Sequence, residues 1–198
     1  MLLKRVFDAM LATILLVVLS PVFLVLALWI KMDSKGNIFY LQQRVGKDGK
    51  DFKIVKFRTM HPDADKRGLL TVGGRDPRVT TAGYYLRKYK LDELPQLINV
   101  WLGSMSFVGP RPEVRKYVAL YNHTQQKVLA VKPGITDYAS IEYRNENELL
   151  AMAADPESEY INVVMPAKLK LNLKYINEVG LFTDLKILWL TFWKVLMG

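Results

Sequence analysis

The sequence predicts an α+β protein with a membrane segment at its start. Three observations carry that prediction. A continuous apolar run occupies residues 9–30. Two short stretches rich in β-branched and aromatic residues, between Asn37 and Phe57, flank a Gly46-Lys-Asp-Gly-Lys turn. From about Thr81 onward, most segments repeat their apolar residues at helical spacing and are punctuated by proline and glycine.

Composition narrows the chemistry before any motif is read. The 198 residues suffice for one domain with a real core, and neither a repeat nor a low-complexity tract divides them. Cysteine is absent, which excludes disulfides and thiolate catalysis. With His61 and His123 as the two imidazoles, a structural zinc site is not expected; a metal here would be a hard, oxygen-liganded ion such as Mg²⁺. The net charge of +9 is unevenly placed: +2 over residues 1–43, +8 over 44–116 and −1 over 117–198. A basic field concentrated in one stretch suits a phosphorylated substrate, anionic lipid or nucleic acid.

The apolar run comes first. As a helix of about 1.5 Å per residue it would reach across a hydrocarbon core of roughly 30 Å. It is too long for a signal peptide, and no Ala-x-Ala site follows it. Pro21 in mid-run predicts a sharp bend, with Ser20 able to bond a freed carbonyl. Lys4 and Arg5 before the run and Lys31 and Lys35 after it give no orientation, so the residues leave a re-entrant dip and a kinked span both open. Ahead of the run, Asp8 suits a helix cap, and Lys4 and Arg5 suit lipid phosphates.

A β-hairpin follows between Asn37 and Phe57, carrying Lys56 and leading to Arg58. These two cations are candidates for phosphate contacts, against plain solvated strand charges. Residues 61–77 read as a loop, ending in Arg75-Asp-Pro-Arg78, and a helix from about Thr81 to Lys88 carries Arg87. Beyond the central segment, an amphipathic helix is expected over 113–130, with His123 on its polar side, stopped by Lys132-Pro-Gly134. Further helices are expected up to Ala154, from Asp155-Pro156, and across 168–174, where alternation alone would argue for a strand. Residues 184–197 are too few to span a bilayer; two tryptophans and two lysines there fit a helix lying in the membrane interface, against a buried core helix.

The central segment, 87–112, holds the adjacent carboxylates Asp92 and Glu93, a helical pattern from Leu94 to Leu102, and Gly109-Pro110-Arg111-Pro112. Asp92 alone could be an N-cap. That leaves Arg87, Glu93 and the rigid exit without a reason. Two prolines restrict the backbone around Arg111, and a guanidinium held that way suits bidentate phosphate recognition, against a stiff surface linker. With no histidine in the segment, acid–base or nucleophilic work falls to a carboxylate. A carboxylate attacking phosphorus gives an acyl phosphate, while a neighbouring acid can hold Mg²⁺. Cations such as Arg87 would keep the nucleophile ionised.

Leu91 to Pro112 (Leu-Asp-Glu-Leu-Pro-Gln-Leu-x-Asn-Val-x-x-Gly-x-Met-Ser-x-Val-Gly-Pro-Arg-Pro) closely resembles the signature of bacterial sugar transferases, the monotopic phosphoglycosyl transferases. Lys4-Arg5-x-Phe-Asp8, the Ser20-Pro21 break, Gln43-Arg44-Val-Gly46 and Lys56-Phe-Arg58-Thr-Met60 match further family patterns, so the likeness runs from Lys4 to the last helix and is weakest beyond residue 135. The resemblance implies a re-entrant helix–break–helix over 1–34 and a catalytic part over 35–198 on the cytoplasmic face of the bacterial inner membrane. It implies transfer of a phospho-sugar from a UDP-sugar to undecaprenyl phosphate, with UMP leaving, as the first membrane step of glycan assembly. Carried over residue by residue, Asp92 is the nucleophile and Glu93 the Mg²⁺ ligand. Lys56, Arg58, Arg78, Arg87, Pro110, Arg111 and Pro112 are the substrate-binding set. Partners implied are the UDP-sugar, the polyprenyl phosphate, membrane phospholipids and downstream glycosyltransferases, not nucleic acid. The chain is expected to be a minimal member, without the extra spanning helices and nucleotide-fold domain of larger relatives. Sugar specificity is expected in the 61–80 loop and in 135–150.

Two rival readings stand beside this one. A membrane-tethered module could hold polyanions with its basic stretch, but Asp92-Glu93 would weaken such binding. A pyrophosphatase or glycosidase would suit two carboxylates, yet would leave the membrane segment without a purpose.

Overall fold

The computed structural model describes residues 2–62, 64 and 76–197. The chain is α+β. Helix α1 (Leu2–Val18) and helix α2 (Ser20–Asp33) form a pair bent by 62° around Leu19. Pro21 lies in the first turn of α2, where its missing N–H leaves no bond unmade. The Ser20 hydroxyl donates to the Val17 carbonyl at 2.8 Å, as the sequence suggested. Neither helix alone is long and apolar enough to cross a membrane; the bent pair together has the length and composition of a broken span or a re-entrant loop. Most of the apolar side chains on the pair face outward, Leu3, Ile14, Val17, Leu24, Val25 and Met32 among them.

Strands β1 (Phe39–Val45) and β2 (Asp51–Phe57) make the expected antiparallel hairpin, with Tyr40 opposite Lys56 and Arg44 opposite Phe52. Its turn places Asp48 in the left-handed region at φ 57°. Helix α3 (Thr81–Lys88) starts on the Thr80 hydroxyl, which accepts the Gly83 N–H at 3.0 Å. A 3₁₀ turn at Leu91–Glu93 leads to α4 (Gln96–Leu102), and strand β3 (Ser106–Val108) follows.

From residue 113 the structure departs from the single helix expected. Helix α5 (Arg115–Val118) is one turn long, and a separate 3₁₀ stretch runs from Gln125 to Ala130. Asn122 ends the first piece: its side-chain oxygen accepts the Gln125 N–H at 2.9 Å while the Gln125 side chain accepts the Asn122 N–H at 2.9 Å. That reciprocal pair starts a new turn instead of extending the old one. His123 is exposed there, as anticipated.

Strand β4 (Gly134–Thr136) pairs in parallel with β3. Helices α6 (Tyr138–Glu142), α7 (Glu146–Ala151) and α8 (Pro156–Glu159) are short, and Asp155 caps α8 through the N–H groups of Glu157 and Ser158. Helix α7 therefore stops before the expected Ala154. A π-helical turn, Tyr160–Val164, leads to α9 (Met165–Asn177), so helix prevails over strand at 168–174. The last helix, α10 (Leu181–Met197), buries only Asp184 and Ile187, leaving Phe182, Trp189, Phe192 and Leu196 exposed; it is not a core helix.

One core joins α1, β2, α4, β3, α9 and α10 through Ala12, Ile54, Val100, Met105, Tyr175 and Ile187. At its edge, Lys4 forms an ion pair with Asp184 and donates to the Val108 carbonyl at 3.1 Å. The Tyr175 hydroxyl donates within the same knot, 2.7 Å from Asp184 Oδ1 and 3.1 Å from the Val108 carbonyl. Arg5 donates to the carbonyls of Val100 and Trp101 at 2.7 and 2.6 Å, at the C-terminal end of α4. Both cations thus have protein partners. Asp8 lies inside α1 and is buried, 3.5 Å from the Phe107 N–H, so it does not cap the helix start.

Candidate active site

The site is assembled from β2, the 3₁₀ turn and the segment after β3. Lys90, in the left-handed region at φ 57°, reverses the chain after α3 and sets Asp92 and Glu93 on a tight turn. Asp92 caps nothing: α4 begins at Gln96, and Pro95 at its cap position makes no side-chain bond. The capping reading of Asp92 is therefore wrong, because the turn ends before the helix starts.

Lys56 is brought in from β2 and forms an ion pair with Glu93 at 3.2 Å. The position of Lys56 is held from behind by Asn99 on α4, whose side chain accepts the Val55 N–H at 2.9 Å and donates to the Lys53 carbonyl at 2.8 Å. Arg111 completes the group, with both guanidinium nitrogens on the two Glu93 oxygens, Nη1 at 3.0 Å from Oε2. Its backbone is fixed twice. Gly109 and Gly134 pack so closely that a Cβ on Gly134 would lie 2.1 Å from the Gly109 nitrogen, a place open only to glycine. Asp137 accepts the Arg111 N–H at 3.1 Å while capping α6 through the Ser140 N–H at 2.6 Å.

Lys56, Arg87, Asp92, Glu93 and Arg111 line one cavity of about 710 Å³, within the usual range for a small-molecule site. Tyr40, Gln42 and Arg44, alternate residues of β1, line it from the same sheet face. The buried Asp92 carboxyl is pushed above the usual carboxylate range, first by burial and then by the Glu93 charge; Lys56, Arg87 and Arg111 pull the other way without prevailing. The expectation that cations such as Arg87 would favour the ionised form gives the right direction for their effect, but burial and the Glu93 charge outweigh it. Burial would also raise Glu93, but the charges and hydrogen bonds of Arg111 and Lys56 hold it well below its usual value. Two adjacent carboxylates are driven apart in acidity, an arrangement that separates roles at reactive sites.

The other predicted residues fall as follows. Arg87 lines the cavity, its Nε donating to the Thr59 hydroxyl at 2.9 Å. Pro112 lines it as well, while Pro110 is buried behind. Arg58 borders the cavity, but its guanidinium donates to the carbonyls of Ile30, Ser34 and Lys35, closing the C-terminal end of α2. Arg78 is gripped by Asp76 at 2.9 Å and is absent from the cavity wall. Of the expected specificity loop, residues 63 and 65–75 lie outside the described residues. No cluster of three metal-ligating side chains occurs among the described residues.

Asn99, Asp137, Arg44 and Glu113 also contribute to the site, although the sequence assigned none of them a role in it. Arg44 pairs with Glu113 at 3.3 Å, which also takes the Tyr160 hydroxyl. Arg44 and Asn99 sit within quoted family patterns, so a signal existed for those two.

Comparison with known proteins agrees with this picture. The profile described as "Bacterial sugar transferase" matches residues 1–198. The chain is 39% identical over 197 residues to the UDP-glucose:undecaprenyl-phosphate glucose-1-phosphate transferase of Escherichia coli (strain K12), covering 98% of this chain and 40% of that protein. It is 38% identical over 198 residues to the uncharacterized sugar transferase EpsL of Bacillus subtilis (strain 168), covering all of this chain and 89% of that one. It is 35% identical over 198 residues to the UDP-N-acetylgalactosamine-undecaprenyl-phosphate N-acetylgalactosaminephosphotransferase of Aeromonas hydrophila, 44% of whose length it spans. The chain thus matches less than half the length of the two named transferases.

Proposed function

The chain belongs to the bacterial sugar transferase family, and from that premise we propose that it transfers a phospho-sugar from a UDP-sugar to undecaprenyl phosphate through a covalent intermediate on Asp92. The observation that carries this is Asp92 itself: a buried carboxylate without a capping duty, on the wall of a cavity whose other charged groups are largely cationic. The relatives named for undecaprenyl-phosphate transfer supply the substrate class.

In the first half-reaction an Asp92 oxygen attacks the β-phosphorus of the donor, and the bond to the bridging oxygen breaks. UMP leaves with that oxygen and its electron pair. Arg87, Lys56 and Arg111 face the phosphate charge, which is spread over oxygens that cations stabilise. In the second, a phosphate oxygen of the lipid attacks the same phosphorus, and the Asp92 carboxylate is released. The product is a polyprenyl diphosphate sugar.

The donor set fits Mg²⁺, which commonly takes one or two carboxylates and fills its other positions with substrate phosphates and water. Glu93, with Asp92 next to it, would hold the ion. When bound, it supplies neutralisation of charge on the diphosphate. Glu93 otherwise fixes Lys56 and Arg111 in place through its two ion pairs.

The outward apolar faces of α1, α2 and α10 support a monotopic placement at the cytoplasmic face of the bacterial inner membrane, with phospholipid around them. The polyprenyl diphosphate product would pass to downstream glycosyltransferases.

The test is covalent labelling. Protein in nanodiscs is incubated with Mg²⁺ and UDP-sugars labelled in the β-phosphate, without lipid acceptor, then denatured. Label on wild type, none on Asp92→Asn, and discharge by undecaprenyl phosphate are expected. UMP release seen only with lipid present, with no labelled protein, would replace the covalent route by direct transfer.

A further inference from the structure

We propose that Glu146, Asn147 and Lys168 read the sugar of the donor, in a lobe of the catalytic cavity beyond Arg111. The inference rests on the transfer reaction proposed above and adds the part of the chain that selects among donors.

The cavity does not end at the phosphate-facing cations. Its wall continues from Arg111 to Glu146, Asn147 and Lys168, at the start of α7 and in the first turns of α9. The proton affinity of Arg111 is raised first by Glu93, with Asp137 and Glu146 adding smaller contributions, so the Glu146 carboxylate lies within electrostatic reach of the reaction centre. Glu146 and Lys168 form an ion pair at 2.6 Å with both side chains partly buried, and Asn147 beside them is exposed.

The chemistry of this lobe differs from that of the floor. The floor is dominated by cations and suits phosphate. Glu146, Lys168 and Asn147 offer an acid, a base and an amide with no net charge among the three, so that donors and acceptors alternate. That pattern fits a neutral polyol. A uracil favours an open aromatic face to stack on. Two of the neighbouring rings are already covered: Tyr117 and Tyr160 lie 4.8 Å apart, and Lys168 Nζ sits 5.5 Å over the Tyr160 ring; Tyr143 lines the cavity as well. The lobe is set apart from α1: Tyr175, which meets Lys4 of that helix, is seven residues further along α9 than Lys168, about 10 Å by helical rise. On another side the same cavity is lined by Thr191, Lys194 and Val195 of α10.

The experiment measures UMP release with undecaprenyl phosphate in nanodiscs. The donors are UDP-glucose, UDP-galactose, UDP-N-acetylglucosamine and UDP-N-acetylgalactosamine, and UMP inhibition is measured in parallel. The proteins are wild type, Glu146→Gln, Lys168→Met and Asn147→Ala, the last exposed and so without a core to disturb. We expect the ratio of kcat/KM between preferred and next-best donor to change about tenfold in Asn147→Ala and Glu146→Gln, with UMP inhibition held within about twofold. Donors falling in parallel with the ratio kept would mean a structural role and overturn the assignment. UMP inhibition weakening together with donor use would place uridine in the lobe and overturn it too. No transfer by wild type from any donor would remove the underlying reaction itself, a result distinct from both.

Discussion

Two charge clusters sit within this fold and do opposite things. In the knot of Lys4, Tyr175 and Asp184, one cation meets one carboxylate, a tyrosine and a backbone carbonyl fill the remaining positions, and none of the three side chains lines the cavity. In the cluster of Lys56, Arg87, Asp92, Glu93 and Arg111, two like charges are adjacent in sequence, the cations favour one of them, and the whole opens onto the cavity. A closed set of satisfied charges gives rigidity. An open set with one ill-satisfied carboxylate keeps a reactive group available, at a cost in stability met by the rest of the fold.

The contrast breaks most sharply at Asp92. Asp92→Asn should lower turnover by at least about a thousandfold while leaving the melting temperature at or above that of wild type, since it removes a like charge from beside Glu93. UMP release and thermal unfolding measured on one preparation check both halves. Asp184→Ala should do the reverse. It leaves Lys4 without its carboxylate, costing about 3 kcal/mol of stability in denaturant unfolding, with activity per folded molecule close to wild type.

Lys56→Gln sharpens the comparison through pH. On the covalent route proposed above, Asp92 must be ionised to attack, so activity is present above its raised pKa and lost as pH falls through it. Lys56 lowers that pKa; removing its charge should move the acid limb of kcat/KM to higher pH. An unmoved limb would detach Asp92 from that limb. The smallest effect is expected at Asp155→Ala, which removes the cap of α8, far from either cluster. It should cost about 1 kcal/mol with no change in turnover.

The local parts of the fold were legible in the sequence, and the long-range parts were not. The hairpin and α3 follow from neighbours a few residues apart, whereas the helix at 168–174 follows from the flanking Pro166 and Gly180 and not from the local alternation. The 113–130 stretch misled because its apolar spacing is helical throughout, while the decision lies in the Asn122–Gln125 side-chain pair. Lys4 and Arg5 look like lipid-facing cations until their partners, 180 and 95 residues away, are seen. Arg58 was likewise read as a phosphate ligand because nothing local shows that α2 ends against it. At the site, Asp92, Glu93, Arg87 and Arg111 were legible from one segment; Asp137, which fixes the Arg111 backbone, acts across 26 residues and carried no signal of its own.

The 62° bend at Leu19 has a mechanical consequence. Arms of 17 and 14 residues are roughly 26 and 21 Å long, so a pair bent from straight by that angle, with both ends at one surface, reaches only about 12 Å down, short of the roughly 15 Å half-thickness of a hydrocarbon core. Such a wedge would swell one leaflet and leave the other untouched. Its seating would then depend on lateral pressure and curvature in that leaflet, and hardly at all on how thick the bilayer is.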